Sequence, residues 1–220
     1  MPDDGLTRLP ADVLYKADAR SRVWRVQGPR GPVVVKRFEY SPTRQRLAAM
    51  IGRHPAQRER RANQRLVAAG VAVVPIIDAG IDAGRHWLAT PWCGESLQAR
   101  LRRGSGADTE ADRNAGDKRT LALALGRFVA RLVEQRWYFR DLKPSNILVD
   151  TADKLRLIDV GDARRLGGRR QTWRMLATLD RTARRDGATR TQRLRAAREL
   201  LAHRPELGPL RALVTTLTPR

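Results

Sequence analysis

The chemistry of this 220-residue chain concentrates in one stretch, Phe139-Arg140-Asp141-Leu142-Lys143-Pro144-Ser145-Asn146-Ile147-Leu148-Val149-Asp150. A second short run, Leu157-Ile158-Asp159-Val160-Gly161, follows it, with Asp159 thirteen residues after Asn146. Asp141, Asn146 and Asp159 converge if a hairpin separates the last two. Residues 147–149 and 155–158 would be its strands and Thr151-Ala152-Asp153-Lys154 its turn. Three such oxygen-bearing side chains suit phosphoryl transfer. Mg²⁺ is a hard cation that takes one or two carboxylates, an amide oxygen and substrate phosphates. A further carboxylate can accept the proton of an attacking hydroxyl. Lys143, two residues past Asp141, falls on the same side of an extended segment and can reach the transferring phosphate.

These residues need elements to hold them. Val23–Val26 and Val33–Phe38 are rich in β-branched and aromatic residues, and Gly28-Pro29-Arg30-Gly31-Pro32 between them is turn chemistry, so a hairpin is expected. Residues 41–55 are basic and weakly helical. Gln57–Ala69 reads as a helix with Glu59, Ala62 and Leu66 near one face and Gly70 as its stop. Val71–Ile77 and His86–Thr90 read as strands, turning at Asp82-Ala83-Gly84. Residues 104–118 contain no apolar side chain larger than Ala and read as a flexible insert. Leu121–Arg136 is an amphipathic helix, and an Arg-rich helical tail covers 164–220. Strands early and helices late predict an α+β fold: one domain over 1–220, with lobes at about 1–90 and 91–220.

Charge narrows the partners. The formal net charge is +21, and residues 164–220 carry fifteen arginines against four carboxylates. Such a field attracts polyanions, or equally reflects a chain dense in arginine throughout. No aromatic interleaving or nucleic-acid motif accompanies it, which argues against nucleic acid. Cys93 is the only cysteine and His54, His86 and His203 are scattered, so neither a disulfide nor a zinc site is expected. MPDDGLTRLP lacks a signal-peptide core, and no run approaches the ~18 apolar residues of a span. The expected location is the cytoplasm, with contact at the inner face of the membrane.

The stretch 139–150 resembles the protein-kinase catalytic loop H-R-D-L-x-x-x-N, and Asp159-Val160-Gly161 the metal-binding D-F-G. The resemblance implies ATP and Mg²⁺ as cofactors, Asp141 as catalytic base and Asn146 and Asp159 as metal ligands. It also implies a strand lysine for the ATP phosphates and a helix glutamate to hold it. Lys36 in Val33-Val34-Val35-Lys36-Arg37-Phe38 fits the first, as the only lysine between 16 and 118. Glu59 fits the second, as the only carboxylate between Glu39 and Asp78. Thr90–Leu97 resembles the adenine hinge, with Leu88 or Thr90 as a wall.

Several kinase features are missing. No G-x-G-x-x-G precedes the hairpin; Tyr15–Arg22 stands there instead, and Arg20, Ser21 or Arg22 are the alternative phosphate donors. Phe139 replaces the motif His, at a position that mostly packs, and Val160 replaces the Phe of D-F-G. There is no A-P-E, and the 61 residues after Asp159 leave little room for a peptide-binding lobe. This compact version is similar to the lipopolysaccharide core kinase (Kdo kinase) family over roughly 23–185. The residues that carry the likeness include Lys36-Arg37-Phe38, Ile158-Asp159-Val160-Gly161-Asp162-Ala163-Arg164 and a basic helix beginning near Trp173. The resemblance implies transfer of a phosphate to a sugar hydroxyl of an anionic glycolipid. Two other readings compete. Arg140-Asp141-Leu142-Lys143-Pro144 is the spelling of Ser/Thr protein kinases, so a compact protein kinase is one. A nucleotide-binding pseudokinase or basic scaffold is the other. Oligomeric state has no sequence signature here.

Overall fold

A computed structural model describes residues 5–41, 43, 45, 50, 54–103 and 111–208, with backbone alone at 111–117. The chain forms two compact bodies. The first holds the chain up to Cys93 together with Asp159–Asp162; the second holds Gly94–Ile158 and the chain from Ala163.

The first body is built on a five-stranded antiparallel sheet, in the order β1-β2-β3-β5-β4. Its strands are β1 (Val13–Ala17), β2 (Ser21–Gly28), β3 (Gly31–Phe38), β4 (Asp78–Asp82) and β5 (Arg85–Pro91), with helix α1 (Pro55–Ala68). The β2–β3 hairpin expected from the sequence is present, and Gly28 pairs with Gly31 across Pro29-Arg30. The β4–β5 turn is also the one expected: Ala83 and Gly84 both have positive φ, as a two-residue hairpin loop demands. Period-two alternation gives the sheet two faces. Val33 and Val35 of β3 pack with Trp24, Val26, Trp87 and Ala89 in one core cluster. Phe38 and Leu88 pack on the opposite face with Ala56 of α1.

The apolar run Val71–Ile77 is not a strand, contrary to expectation. Val71, Val73 and Val74 are buried, but the ladder starts only at Asp78. The amide of Asn63 takes the place of a strand partner. Its Nδ2 donates to the Val74 carbonyl at 2.8 Å and its Oδ1 accepts from the Ile76 amide at 3.0 Å. Strand β4 contains Gly80 because Trp87 lies over it: a Cβ there would stand 2.7 Å from the indole.

The second body contains β6 (Glu95–Ser96), α2 (Leu97–Arg103), α3 (Ala111–Glu134), β7 (Trp137–Tyr138), β8 (Ile147–Val149), β9 (Leu155–Leu157), β10 (Arg164–Arg165), α4 (Arg169–Arg185) and α5 (Arg190–His203). The strands form a three-stranded sheet, β6-β8-β9, and a β10–β7 pair. Helix α3 begins at Ala111, ahead of the expected Leu121, so the end of the stretch read as an insert is helical. Residues 104–110 lie outside the described residues, as do most of 41–53 and all of 209–220. The basic tail is helical at α4 and α5. An antiparallel sheet early and helices late make the α+β, kinase-like fold. No described helix is long and apolar enough to cross a membrane.

Candidate active site

Lys36 sits on the face of β3 that looks toward α1, in register with Leu88 and two residues before Phe38. On α1, Ala56, Glu59, Ala62, Asn63 and Leu66 form the buried stripe. Four are apolar or amide side chains, and Glu59 is a carboxylate only 8% exposed. A buried carboxylate needs a counter-charge. Lys36 provides it: Nζ donates to Glu59 Oε2 at 2.7 Å and to Asp159 Oδ1 at 2.7 Å. Burial opposes the charge on Lys36, but Glu59 and Asp159 outweigh it and hold the ammonium above the ordinary lysine range. Burial pushes the Glu59 carboxyl up; Lys36 pulls it down and Asp159 adds to the rise.

Asp159 has φ 55°, a left-handed conformation that only Asn, Asp and Gly adopt with ease. Its side chain is 54% exposed, in contrast to Glu59. Val160 is buried beside it, and Gly161 lies against the Glu59 backbone, where an added Cβ would be in ordinary contact. Arg58, the neighbour of Glu59, donates from Nη2 to Asp162 Oδ1 at 2.6 Å. Two adjacent helix residues thus hold 159–162, one through Lys36 and one directly.

Helix α1 is itself anchored by a histidine. His54 is fully buried, and its Nδ1 caps the helix by accepting the Ala56 amide at 3.1 Å. Its ring stacks on His86 with centroids 3.9 Å apart and meets the Phe38 ring edge-on. Gln45 Oε1 lies 3.2 Å from His54 Nε2. Burial, with His86 adding to it, lowers the His54 pKa to about 4, so the ring is neutral and free to accept. The two histidines are 32 positions apart, and nothing in the sequence brings them together.

In the second body, Phe139, Leu142, Pro144 and Asn146 are buried, while Asp141 is exposed and Lys143 half-buried. The apolar side chains pin the loop from behind and leave Asp141 and Lys143 on its open side. Asn146 braces it: its Nδ2 donates to the Asp141 carbonyl at 3.0 Å, and its own carbonyl accepts from Ile158 at 3.0 Å. Arg140 Nε stands 3.6 Å from Asp141 Oδ1. The hairpin expected after Asn146 is β8–β9, with Ile147 opposite Leu157. Asp150 ties its turn by accepting the Ala152 and Lys154 amides at 2.9 Å each. Strand β6 joins β8 through Gly94, which has φ 132°, and a Cβ there would strike the Val149 carbonyl at 2.1 Å. Glu95, within the hinge-like stretch Thr90–Leu97, pairs with Arg100 and Arg103.

Lys36, Glu59 and Asp159 therefore form one cluster in the first body. Asp141, Lys143 and Asn146 form one braced loop in the second. Each body carries an oxygen donor of the kind a hard cation takes. With Nδ2 spent on a carbonyl, the Asn146 amide has its oxygen to offer, and the Asp159 carboxylate is half open to solvent. Among the described residues no three His, Cys, Asp or Glu side chains group as metal ligands.

Of the stretch Arg20–Arg22 read as alternative phosphate donors, the backbone amides of Arg20 and Ser21 are already engaged. Asp18 Oδ1 accepts their amides at 2.9 and 2.8 Å, and Lys16 reaches Asp18 Oδ2 at 2.9 Å. These hydrogen bonds hold the Asp18 carboxyl well below the usual carboxylate range, with Lys16 the largest contributor. The β1–β2 turn is closed by a carboxylate where a glycine loop would leave amides open.

Residues 33–198 match the family model described as "Lipopolysaccharide kinase (Kdo/WaaP) family". No curated protein matches the chain.

Proposed function

The chain belongs to the lipopolysaccharide kinase (Kdo/WaaP) family, and on that footing we propose that it transfers the γ-phosphate of ATP to a sugar hydroxyl of a lipopolysaccharide core or related anionic glycolipid. The observation that supports this best is the Lys36–Glu59–Asp159 cluster, which keeps a compact ammonium charged and aimed by two carboxylates. Lys36 binds ATP phosphates, fixed by Glu59. Asp159 and Asn146 hold Mg²⁺, which neutralises charge on the phosphates when bound. Asp141 accepts the proton of the sugar hydroxyl as its oxygen attacks the γ-phosphorus and the bond to ADP breaks. Lys143 stabilises the transferred group. Rate enhancement comes from positioning and charge neutralisation.

The test is transfer of labelled γ-phosphate from ATP to purified core glycolipid, followed by mass spectrometry for one added phosphate. Label on the glycolipid supports the reading. Label on delipidated protein instead supports a protein kinase. Nucleotide binding without transfer to either supports the pseudokinase reading.

A further inference from the structure

Helix α4 has two sharply different sides. Thr172, Met175, Leu176, Leu179, Asp180 and Ala183 are buried. This side packs against β7 and the 3-10 turn Pro144–Asn146 of the Asp141 loop. It also lines an apolar cleft with Leu125 and Val129 of α3 and Leu200 of α5. The other side carries Arg170, Arg174, Arg181, Arg184 and Arg185, all exposed. At 3.6 residues per turn these five fall within about 100° of arc and along about 22 Å of axis. No exposed carboxylate shares the stripe. Asp180 is buried and held by Arg193 at 2.9 Å. Asp186 is buried under Gln98 and Arg102, with Arg185 Nε 4.0 Å away. Arginines at 170 and 174, and at 181 and 185, repel one another along the helix, and Arg170 lies with Arg169 in its first turn, where the dipole disfavours cations. The stripe is a cost to the free protein that an external polyanion removes.

We infer that the arginine stripe of α4 docks the protein on an anionic lipid surface and so keeps the body that carries the Asp141 loop close to a membrane-embedded acceptor. A straight row of guanidinium groups matches a plane of phosphates. Trp173, half-buried at the stripe's edge, suits headgroup depth. Nucleic acid is the poorer fit, because no row of aromatic side chains for stacking or amides for base edges lies among the arginines. The choice of lipid rests on the glycolipid-kinase reading above; the stripe itself does not.

The experiment is co-sedimentation of the full chain with phosphatidylcholine vesicles, with and without phosphatidylglycerol, beside duplex DNA and RNA binding at the same ionic strength. We expect binding that requires phosphatidylglycerol and weakens with salt. Each Arg→Gln change in the stripe should weaken it on the order of fivefold, and all five together by about 3000-fold. The five-site variant should keep its rate on deacylated, water-soluble core saccharide and lose rate on vesicle-embedded glycolipid. A control neutralising Arg30, Arg60, Arg61, Arg65 and Arg198 removes the same charge elsewhere and should still sediment. Failure of the wild type to sediment, equal loss in the control, or tighter binding to nucleic acid overturns the docking. Sedimentation without phosphotransfer overturns the kinase reading and sustains the docking. Should the five-site variant fail to fold, paired changes at Arg170 with Arg174 and at Arg181 with Arg185 carry the same comparison.

Discussion

Arg58 grips Asp162 at 2.6 Å, one residue before Glu59 on the helix and three residues after Asp159 on the loop. The pair runs beside the Lys36 bridges and ties the stretch 159–162 to α1 a second time. Arg58 is half exposed, so the bond adds little to stability, within about 1 kcal/mol. Arg58→Ala should therefore leave the melting temperature nearly unchanged while lowering kcat several-fold. A charge-swapped Arg58→Asp, Asp162→Arg double variant should recover part of the loss. An unchanged kcat in Arg58→Ala would remove this role.

Lys36→Met strands Glu59 in an apolar setting without its counter-charge. Loss of one partner from a largely buried pair costs on the order of 3 kcal/mol, and loss of a phosphate-stabilising cation costs about 10²–10³ in rate. Lys36→Met with Glu59→Gln should restore stability without restoring activity. Chemical denaturation and initial rates, measured on the single and double variants, check both halves.

Asp141 and Asp159 should separate by assay. Asp141→Ala is expected to lower turnover by about 10²–10⁴ and leave ATP-dependent thermal stabilisation intact. Asp159→Ala should abolish both the turnover and the Mg²⁺-dependent part of that stabilisation. Full phosphotransfer by Asp141→Ala would show that the roles are wrongly assigned.

His54 makes stability depend on pH in a defined window. Its folded pKa is lowered to about 4 from an ordinary 6.5, so the unfolded chain binds the extra proton between those values. Stability is full above about pH 6.5 and falls as the pH drops toward 4. His86, lowered by burial, acts in the same direction, and Glu59, raised by burial, acts against both. Comparing urea melts of wild type and His54→Asn isolates the term, since Asn caps a helix without titrating. The variant should show a flatter pH slope, and parallel slopes would refute the assignment.

The Asp141–Asn146 loop, the hairpin after it and the Lys36 strand were legible because each is local: turn chemistry, alternation and motif spacing all lie within a dozen residues. Glu59 was legible as a lone carboxylate on an apolar helix stripe. Strand β1 was not, because four of its five residues are exposed and it shows no alternation. Val71–Ile77 misled because buried β-branched residues resemble a strand whether their partner is a ladder or one Asn63 side chain. The His54–His86 stack and the Arg58–Asp162 bond join positions 32 and 104 apart, and only the folded chain reveals such pairs.

The carboxylate that completes the Lys36 cluster comes from a separate stretch of chain, since Asp159–Asp162 belongs with the residues before Cys93. No uninterrupted fragment ending near position 93 can therefore reproduce this body. Expressed alone, such a piece would keep the sheet and α1, yet its Lys36 would face one acid in place of two, and Arg58 would have lost its anchor. Coexpressing the missing half, or grafting a short acidic peptide that spans 158–163, is the route to a nucleotide-responsive half-molecule.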